Sequence, residues 1–304
     1  MAIGGIPSEL EPWSGTVEPG WTMNWLGVRT RCAFQGVAED RPSYVLQTER
    51  PALSEDLFEW LDVLETVREA AGSFTMVELG AGWGRWIVNA AVAARRLDPS
   101  LQTLLVGVEA EPTHFRWLRQ HLLDNGLVPD DHRLIEAAVA ARDGRVRFQQ
   151  GDPADWYGQG IERDDPAARQ SGPVSRLIRW SRNSSTNVLA RVGGARAVRR
   201  VRAVSLPTLL RPLDFVDLVD ADVQGVEADV FEAATDALQE KVRRVHIGTH
   251  GAEVEERLRR LFRTLDWECR FDYAGGGERE TPWGLVQFDD GAQSWVNPAL
   301  RGPG

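Results

Sequence analysis

The chain has 304 residues, of which 42% are hydrophobic and 26% are charged, and it contains two cysteines. This composition is typical of a globular protein with one large α/β domain, and it argues against a disordered chain, a collagen-like chain or a disulfide framework. The formal net charge of -10 at pH 7 argues against general nucleic-acid binding, because phosphate recognition depends on a basic surface.

The beginning of the chain does not resemble a targeting segment, since residues 1–11 contain neither a basic region nor a long apolar core. No stretch of the sequence approaches the roughly 20 apolar residues that span a bilayer. Cys32 and Cys269 lie far apart and lack metal-ligand spacing. We therefore expect a cytoplasmic protein without a membrane anchor.

Residues 1–53 are rich in glycine, proline and tryptophan and show no clear periodicity, which predicts an irregular extension packed on the main domain. The main domain is predicted to occupy residues 54–304. It begins with a helix, because Ser54 is a suitable N-cap and apolar side chains recur at helical spacing from Leu57 to Val67.

From residue 75 the chain alternates apolar runs with amphipathic segments, which predicts right-handed βαβ units and a mostly parallel sheet covered on both faces. The predicted strands are 75–79, 103–109, 134–138, 146–149, 201–204, 215–221 and 244–248. The predicted helices are 86–96, 112–125, 206–210, 226–238 and 252–265.

Two segments depart from this alternation. Residues 151–200 are rich in Gly, Pro, Ser and Arg and are predicted to be an insertion that forms a lid or contacts the substrate. Residues 267–273 and 284–289 are two strand-like runs without a helix between them, which predicts an antiparallel C-terminal hairpin. The predicted fold is a doubly wound, mostly parallel seven-stranded α/β sheet closed by that hairpin.

A glycine-rich turn follows the first predicted strand of the sheet. Residues 77–84 read VELGAGWG and place alternating glycines where a strand becomes a helix, so the backbone can turn tightly and approach a ligand. A nicotinamide-binding fingerprint needs a further glycine at the position of Arg85, so that match fails. The turn predicts a different nucleotide-like cofactor.

Acidic residues near the turn favour a cationic cofactor. Glu78 would repel a pyrophosphate, but it can pair with the amino group of S-adenosylmethionine. Glu109 ends the next strand, where a carboxylate can accept the ribose hydroxyl protons, and Glu136 either borders the adenine or lies on the surface. The predicted cofactor-binding residues are Glu78, Gly80, Ala81, Gly82, Gly84, Glu109, Ala110, Glu136 and Asp220.

Several segments between residues 72 and 298 resemble the FkbM-type methyltransferases. The resemblance rests on ELGAGWG, VGVEAEP with the later DNGL, VSLPTLL, DFVDLVDADVQGVEADVFEAA and GLVQFDDGAQSWVNP. The run from Asp222 to Glu227 is its most specific part. The resemblance implies a class I, Rossmann-like fold, S-adenosylmethionine as methyl donor, and O-methylation of a sugar, a glycosylated compound or a polyketide-type secondary metabolite.

The carboxyl ends of the fourth and fifth sheet strands are predicted to carry the catalytic groups, because ligands collect there in doubly wound sheets. Asp220 and Asp222 follow the fourth strand, and His250 follows the fifth. His250 is the candidate general base, since imidazole titrates near neutrality, and its alternative is a surface or capping role. His246 is interpreted as a core residue.

A divalent cation is the alternative to a histidine base. Asp220, Asp222 and His250 could bind Mg²⁺ or Mn²⁺, which would lower the pKa of the acceptor hydroxyl. In a third interpretation Asp222 only orders the strand-to-helix turn.

The acceptor is predicted to be a small molecule or a glycan. Four residues are predicted to contact the acceptor, because their side chains can stack on a ring or form hydrogen bonds with it. They are Trp156, Tyr157, Gln159 and Gln224. An arginine-rich stretch at 176–202 is either a solvated face or a site for an anionic acceptor. Apolar residues near the termini would permit a homodimer.

Three other functions stay open at this point. An RNA methyltransferase would use the arginine-rich stretch, although the acidic net charge opposes it. A nicotinamide-dependent oxidoreductase is disfavoured by Glu78 and Arg85. A binding protein without catalytic activity is disfavoured by the intact glycines, Glu109 and the polar residues at the strand ends.

Overall fold

The computed structural model describes residues 5–151, 159–161 and 197–300. In chain order the helices are α1 (Asp56–Glu69), α2 (Arg85–Leu97), α3 (Pro112–Asp124), α4 (Leu206–Leu210), α5 (Glu227–Glu232), α6 (Thr235–Lys241) and α7 (Ala252–Thr264). The strands are β1 (Ser14–Val17), β2 (Trp21–Met23), β3 (Arg29–Arg31), β4 (Tyr44–Gln47), β5 (Ser73–Leu79), β6 (Gln102–Glu109), β7 (Arg133–Glu136), β8 (Ala138–Val139), β9 (Gly144–Gln150), β10 (Gly160–Ile161), β11 (Ala197–Val204), β12 (Val216–Ala221), β13 (Val242–Thr249), β14 (Glu268–Tyr273), β15 (Gly277–Thr281), β16 (Gly284–Phe288) and β17 (Gly291–Val296). Within these described ranges no helix is long and apolar enough to cross a membrane.

Seven strands form the central sheet in the order β14-β17-β13-β12-β5-β6-β7. The neighbours from β13 to β7 pair in parallel, and β17 runs antiparallel to both β13 and β14. All six residues of β12 are buried, as expected for a strand covered on both faces. The predicted doubly wound, mostly parallel sheet with seven strands is confirmed.

Alternate side chains of the central strands enter two separate apolar clusters. Val77 and Val219 pack in one cluster with side chains of α5, α6 and α7. Met76 and Leu218 pack in the other with α1 and α2. Successive side chains of a strand point to opposite faces of the sheet, so these two clusters are the two helix-covered faces, and the carboxyl ends of the strands remain available between them.

The pairing at the C-terminal end differs from the prediction. The strand at 284–289 does not close the central sheet, because β16 pairs with β15 in a separate hairpin. Instead β17 enters the sheet between β13 and β14. All residues of β17 are buried, whereas β16 has three exposed residues. The polar sequence of β17, GAQSWV, lacks the apolar run that would have identified it.

Two predicted elements are each divided in the structure. The strand at 134–138 becomes β7, which ends at Glu136 in the central sheet, and β8, which begins at Ala138 and pairs with β11. The helix predicted at 226–238 is divided into α5, which ends at Glu232 with Ala233 as its C-cap, and α6. The bend after Glu136 matters for function, since it moves the following residues out of the central sheet.

The N-terminal extension is more regular than predicted. Its strands β1 and β4 pair with each other, and β2 and β3 form a hairpin. The extension is held on the main domain by an ion pair between Arg31 and Asp124 at 2.6 Å and by an edge-on contact between Trp25 and Trp60, with ring centroids 5.4 Å apart. The helix α1 starts after Glu55, and the hydroxyl of Ser54 donates to the backbone oxygen of Ala52 instead of capping this helix as predicted.

A second, four-stranded sheet has the order β10-β9-β11-β8 and stands beside β6. It contains the flanks of the predicted insertion. Most of that insertion, including Trp156 and Tyr157, lies outside the described residues.

Candidate functional site

A cavity of about 840 Å³ opens at the carboxyl ends of the central strands. Its volume lies within the range of ligand-binding clefts. Most of the predicted site residues line it, namely Glu78, Gly80, Ala81, Gly82, Glu109, Ala110, Gln159, Asp220, Asp222 and Gln224. The position of the cavity agrees with the general location of ligands in doubly wound sheets.

The glycine turn follows β5 and forms the floor between β5 and β12. Gly80 has a φ of +80°, and a Cβ built on it would lie 2.1 Å from the backbone oxygen of Asp222. Only glycine tolerates both the left-handed backbone and so close an approach. Gly84 lies at the N-cap of α2 with a φ of +76°. Gly84 does not line the cavity, so its role is to let the backbone turn into α2.

Glu78 is directed at the first turn of α2. Its two carboxylate oxygens accept from the backbone N–H groups of Trp86 at 3.3 Å and Ile87 at 3.2 Å. Burial, and next the charge of Asp220, raise the pKa of Glu78 well above its usual value. The carboxylate that we predicted to pair with the cofactor amino group therefore already stabilises the start of α2.

Glu109 ends β6 at the opposite side of the turn. Its oxygens accept from the N–H of Gly82 at 2.8 Å and from the N–H of Glu111 at 2.6 Å. Each carboxylate oxygen has a second lone pair, so the side chain can still accept from ligand hydroxyls. Glu136, in contrast, is exposed and lies outside the cavity lining, where Ala137 and Ala138 stand instead, because the chain bends out of the sheet after β7.

A buried polar cluster connects β12, β13 and α1. His246 lies beside Asp220 in the strand register, and its Nδ1 lies 2.7 Å from Oδ2 of Asp62. Burial opposes a charged imidazole, but the hydrogen bond and the charge of Asp62 outweigh it and raise the pKa of His246. Arg244 donates to Asp62 at 3.1 Å. Glu59 of α1 completes the cluster beside Asp220.

A second polar cluster surrounds His250, just after β13. Its Nδ1 lies 2.7 Å from Oε1 of the fully buried Glu227. Its Nε2 lies 3.4 Å from Oδ1 of Asp222, 3.7 Å from Oδ2 of Asp290 and 3.2 Å from the amide nitrogen of Gln224. The side chains of Asp222 and Asp290 are 63% and 49% exposed, so the cluster opens on the cavity through these carboxylates.

The surrounding carboxylates change the expected role of His250. Burial disfavours the charged ring, but the hydrogen bond to Glu227 and the charges of Asp222 and Asp290 outweigh it and raise the pKa of His250 to about 9. The ring is therefore protonated at neutral pH and cannot take a further proton. The prediction that His250 is the general base is not supported by this arrangement.

The predicted metal ligands are divided between the two clusters. Asp222 and His250 come together with Glu227, whereas Asp220 belongs to the group of Glu59 and His246. The division follows from the position of Asp220 within β12, where its side chain faces α1, while Asp222 lies beyond the strand.

The N-terminal extension supplies part of the cavity wall, which the sequence pattern did not indicate. Asn24 donates to the side chain of Asn89 at 2.7 Å and lines the cavity. Thr30 lies 3.3 Å from Nε2 of His121, whose Nδ1 lies 3.1 Å from the backbone oxygen of Trp83. These contacts fasten the hairpin of β2 and β3 to the glycine turn.

Glu59 was also missed, although a signal for it exists. Glu59 and Asp62 are spaced by three residues within an otherwise apolar helical stretch. Acidic side chains with this spacing share one face of a helix, and here that face packs toward β12 and β13. Acids on the apolar face of a predicted helix are thus a sequence signal for candidate site residues.

Comparison with known proteins shows a relative among curated sequences. A protein from Jannaschia sp. (strain CCS1), described as a "Putative methyltransferase", is 26% identical over 271 residues, covering 87% of this chain and 88% of the relative. No family model matches the chain.

Solved structures with a similar fold share little sequence with the chain. Precorrin 8W decarboxylase from Methanobacterium thermoautotrophicum is 11% identical with a TM-score of 0.41, covering 81% of this chain and 92% of that chain. Methyltransferase FkbM from Methylobacillus flagellatus KT is 10% identical with a TM-score of 0.42, covering 74% of this chain and 44% of that chain.

Proposed function

We propose that the chain is an S-adenosylmethionine-dependent O-methyltransferase that acts on a hydroxyl group of a sugar, a glycosylated compound or a polyketide-type metabolite. Methyltransferase activity is supported by the fold and by the description of the Jannaschia relative. The observation that carries the proposal is the glycine turn between β5 and α2, which stands in one cavity with Glu109. Membership of the FkbM type and the hydroxyl acceptor stay predictions.

The residues of the cavity fit a nucleoside that carries positive charge. Gly80 and Gly82 allow a ligand to approach the backbone closely, and Glu109 can accept from the ribose hydroxyls. The lining contains several further carboxylates, including Asp220 and Asp222, which would oppose a pyrophosphate and favour a sulfonium. When bound, S-adenosylmethionine supplies an electrophilic methyl group on that sulfonium.

The acceptor hydroxyl must lose a proton as its oxygen forms the new bond to carbon. We assign proton acceptance to Asp222, which lines the cavity and is 63% exposed there. Partial desolvation inside the concave cavity, and the nearby charges of Glu227 and Asp290, raise the pKa of Asp222 despite the charge of His250, which brings this carboxylate closer to the range suited to a general base. The protonated His250, held by Glu227, then orients Asp222.

A divalent cation at the same cluster is the alternative for activating the hydroxyl. Asp222, Glu227 and His250 present ligand atoms within 4.8 Å of one another, and oxygen and imidazole ligands suit Mg²⁺ or Mn²⁺. Activity that survives exhaustive chelation would exclude this route, and activity that is lost and then restored by Mn²⁺ would favour it over direct proton transfer.

A specific observation favours methylation of RNA as a second candidate function. Arg145 of β9 lies directly opposite Arg202 of β11, and β11 also carries Arg199 and Arg200. All four side chains are exposed. Exposed arginines gathered on one small sheet form a basic patch of the kind that contacts phosphates. Tight RNA binding that weakens steeply with salt would support this candidate.

The main proposal is tested by calorimetry and product analysis. The protein should bind S-adenosylmethionine and S-adenosylhomocysteine, and reduced nicotinamide dinucleotides should not compete. Mass spectrometry of candidate hydroxylated acceptors should then show a mass gain of one methylene group with stoichiometric formation of S-adenosylhomocysteine. Absence of binding by both adenosyl compounds would contradict the proposal.

A further inference from the structure

Helix α1 places an acidic side chain in the wall of the cavity. Glu59 is half-buried and lines the cavity. Glu59, Asp220 and His246 each present one side-chain atom within 4.8 Å of the other two. Asp220 is 4% exposed. Two acidic groups, one from α1 and one from β12, therefore meet at the edge of the cavity, beside the glycine turn and the strand ends.

The contact between Glu59 and Asp220 requires a proton or a cation. Carboxylates present only acceptors, and two of them repel each other when both are charged. Burial raises the pKa of Glu59 well above its usual value, and the charge of Asp220 adds to this effect. Burial also raises the pKa of Asp220 to about 6. In the free protein a shared proton accounts for the contact.

The cationic side chains that face this pair already have anionic partners. Nδ1 of His246 is held by Asp62 at 2.7 Å. Arg85 of α2 forms an ion pair with Asp56. The pair formed by Glu59 and Asp220 is thus a negatively charged position in the wall that is suited to a cation from outside the chain.

Glu78, the carboxylate nearest the turn in sequence, already has hydrogen-bond partners in the backbone. Both of its oxygens accept from backbone N–H groups at the start of α2. A ligand cation at Glu78 would share this carboxylate with the start of α2, whereas at the pair of Glu59 and Asp220 it would replace a proton. The two carboxylates are therefore the better counter-ions.

We propose that Glu59 and Asp220 bind the α-ammonium group of S-adenosylmethionine. This assignment rests on the proposed methyl donor. An ammonium carries a full positive charge and three N–H donors, so it can satisfy one oxygen of each carboxylate at once. Glu59 is then a cofactor-positioning residue that belongs to the helix before the glycine turn, and it fixes the amino-acid end of the methyl donor.

The test compares two nucleosides that differ at the amino-acid end. S-adenosylhomocysteine carries the ammonium group, and 5′-methylthioadenosine lacks it. In titrations at neutral pH, Glu59→Gln should weaken the binding of S-adenosylhomocysteine by about tenfold or more, because a charge-assisted bond is lost. The affinity for 5′-methylthioadenosine should change by less than about twofold. Glu253→Gln, an exposed change on α7, is the matched control and should alter neither.

Two further readouts separate a binding role from a structural one. Glu59→Asp keeps the charge and should lose less affinity for S-adenosylhomocysteine than Glu59→Gln does. The ligand-free Glu59→Gln protein should have a thermal midpoint no lower than the wild type, because the amide can donate to Asp220 in place of the shared proton.

The outcomes distinguish this assignment from the proposed function. The assignment would be overturned if Glu59→Gln weakened the binding of both nucleosides equally, or if it did not weaken the binding of S-adenosylhomocysteine. The proposed methyl donor would stand in both cases. A wild-type protein that binds neither nucleoside would overturn the methyl donor and the assignment together.

Discussion

The cavity has two walls whose polar side chains make different kinds of contact. In the cofactor wall, formed by Glu78, the glycine turn and Glu109, carboxylates accept from backbone N–H groups. In the acceptor wall, formed by Asp222, Gln224 and Asp290, polar side chains mainly contact one another and His250, which does not itself line the cavity. The first wall is thus fixed by local backbone geometry, whereas the second depends on the balance of charges among elements that are distant in sequence.

Substitutions in the two walls should therefore have different effects on binding and turnover. A change in the cofactor wall should disturb backbone geometry and therefore binding, whereas a change in the acceptor wall should alter protonation and therefore turnover. Substitutions at Gly80, Asp222, Glu109 and His121 test this contrast, with expected effects that decrease in that order.

The largest effect is expected for Gly80→Ala in the cofactor wall. The added Cβ would meet the backbone oxygen of Asp222 at 2.1 Å, so the turn must move away from β12. We expect the affinity for S-adenosylhomocysteine to fall by about 100-fold or more, with a lower thermal midpoint. Gly72→Ala is the matched control, since Gly72 has a similar φ of +76° but no atom lies within 4 Å of the place where a Cβ would stand. The Gly72→Ala variant should lose only the stability that follows from backbone strain at this φ.

The next largest effect is expected for Asp222→Asn in the acceptor wall. The amide cannot accept the proton of the acceptor hydroxyl, so kcat should fall by about 100-fold. The affinity for S-adenosylhomocysteine should stay within about threefold of the wild type. Asp266→Asn, an exposed change, serves as control for the rate measurement. Retention of kcat in the Asp222 variant would remove this residue as the base.

A smaller effect is expected for Glu109→Gln in the cofactor wall. The amide nitrogen cannot accept from Gly82 or Glu111, so one of the two backbone bonds of Glu109 is lost. We expect an affinity for S-adenosylhomocysteine about tenfold weaker. Glu136→Gln is the matched control, because Glu136 is the strand neighbour of Glu109 but lies outside the cavity. Equal losses in both variants would contradict the assigned role of Glu109.

The smallest effect on binding and turnover is expected for His121, which joins the extension to the glycine turn and should mainly affect stability. Burial lowers the pKa of His121 from its ordinary value of 6.5 to about 4. The unfolded chain therefore binds a proton that the folded protein does not, so stability contributed by the neutral ring is complete above pH 6.5 and is lost as the pH falls toward 4.

This contribution is measured as the difference between the wild type and His121→Gln. The free energy of unfolding of the wild type should fall more steeply between pH 6.5 and 4, by on the order of 1 to 3 kcal/mol in total. The titration of other buried groups is common to both proteins and cancels. Parallel pH curves would show that folding does not lower the pKa of this histidine.

Much of the cofactor wall could be predicted because its features are local in sequence. The strand at residues 75–79 and the alternating glycines lie close together in the chain, so the turn, its N-terminal strand and its helix followed directly from pattern. Glu136 was assigned to the same wall by strand position alone. The structure places Glu136 outside the cavity lining, because the chain bends between β7 and β8, and β8 pairs with β11.

At the acceptor wall the sequence predicted Asp222, Gln224 and His250, but it predicted neither Asp290 nor the protonation of the histidine. Asp222 and His250 were correctly identified as neighbours across two strand ends. Glu227 and Asp290 change the protonation of His250, and Asp290 comes from the loop before β17, a strand whose place in the sheet no local pattern indicated. Proton affinity depends on all nearby charges, so residue type alone does not determine the role of a histidine at this site.

Sequence alone determined the doubly wound fold and the position of the glycine turn, because hydrophobic periodicity and glycine spacing act over a few residues. Tertiary structure alone decided that Glu59 reaches Asp220, that Asp220 and Asp222 serve different clusters, and that the N-terminal hairpin forms part of the wall. These contacts join residues that lie far apart in the chain, and the physical reason is that burial and charge at a strand end are set by whatever packs there from the rest of the molecule.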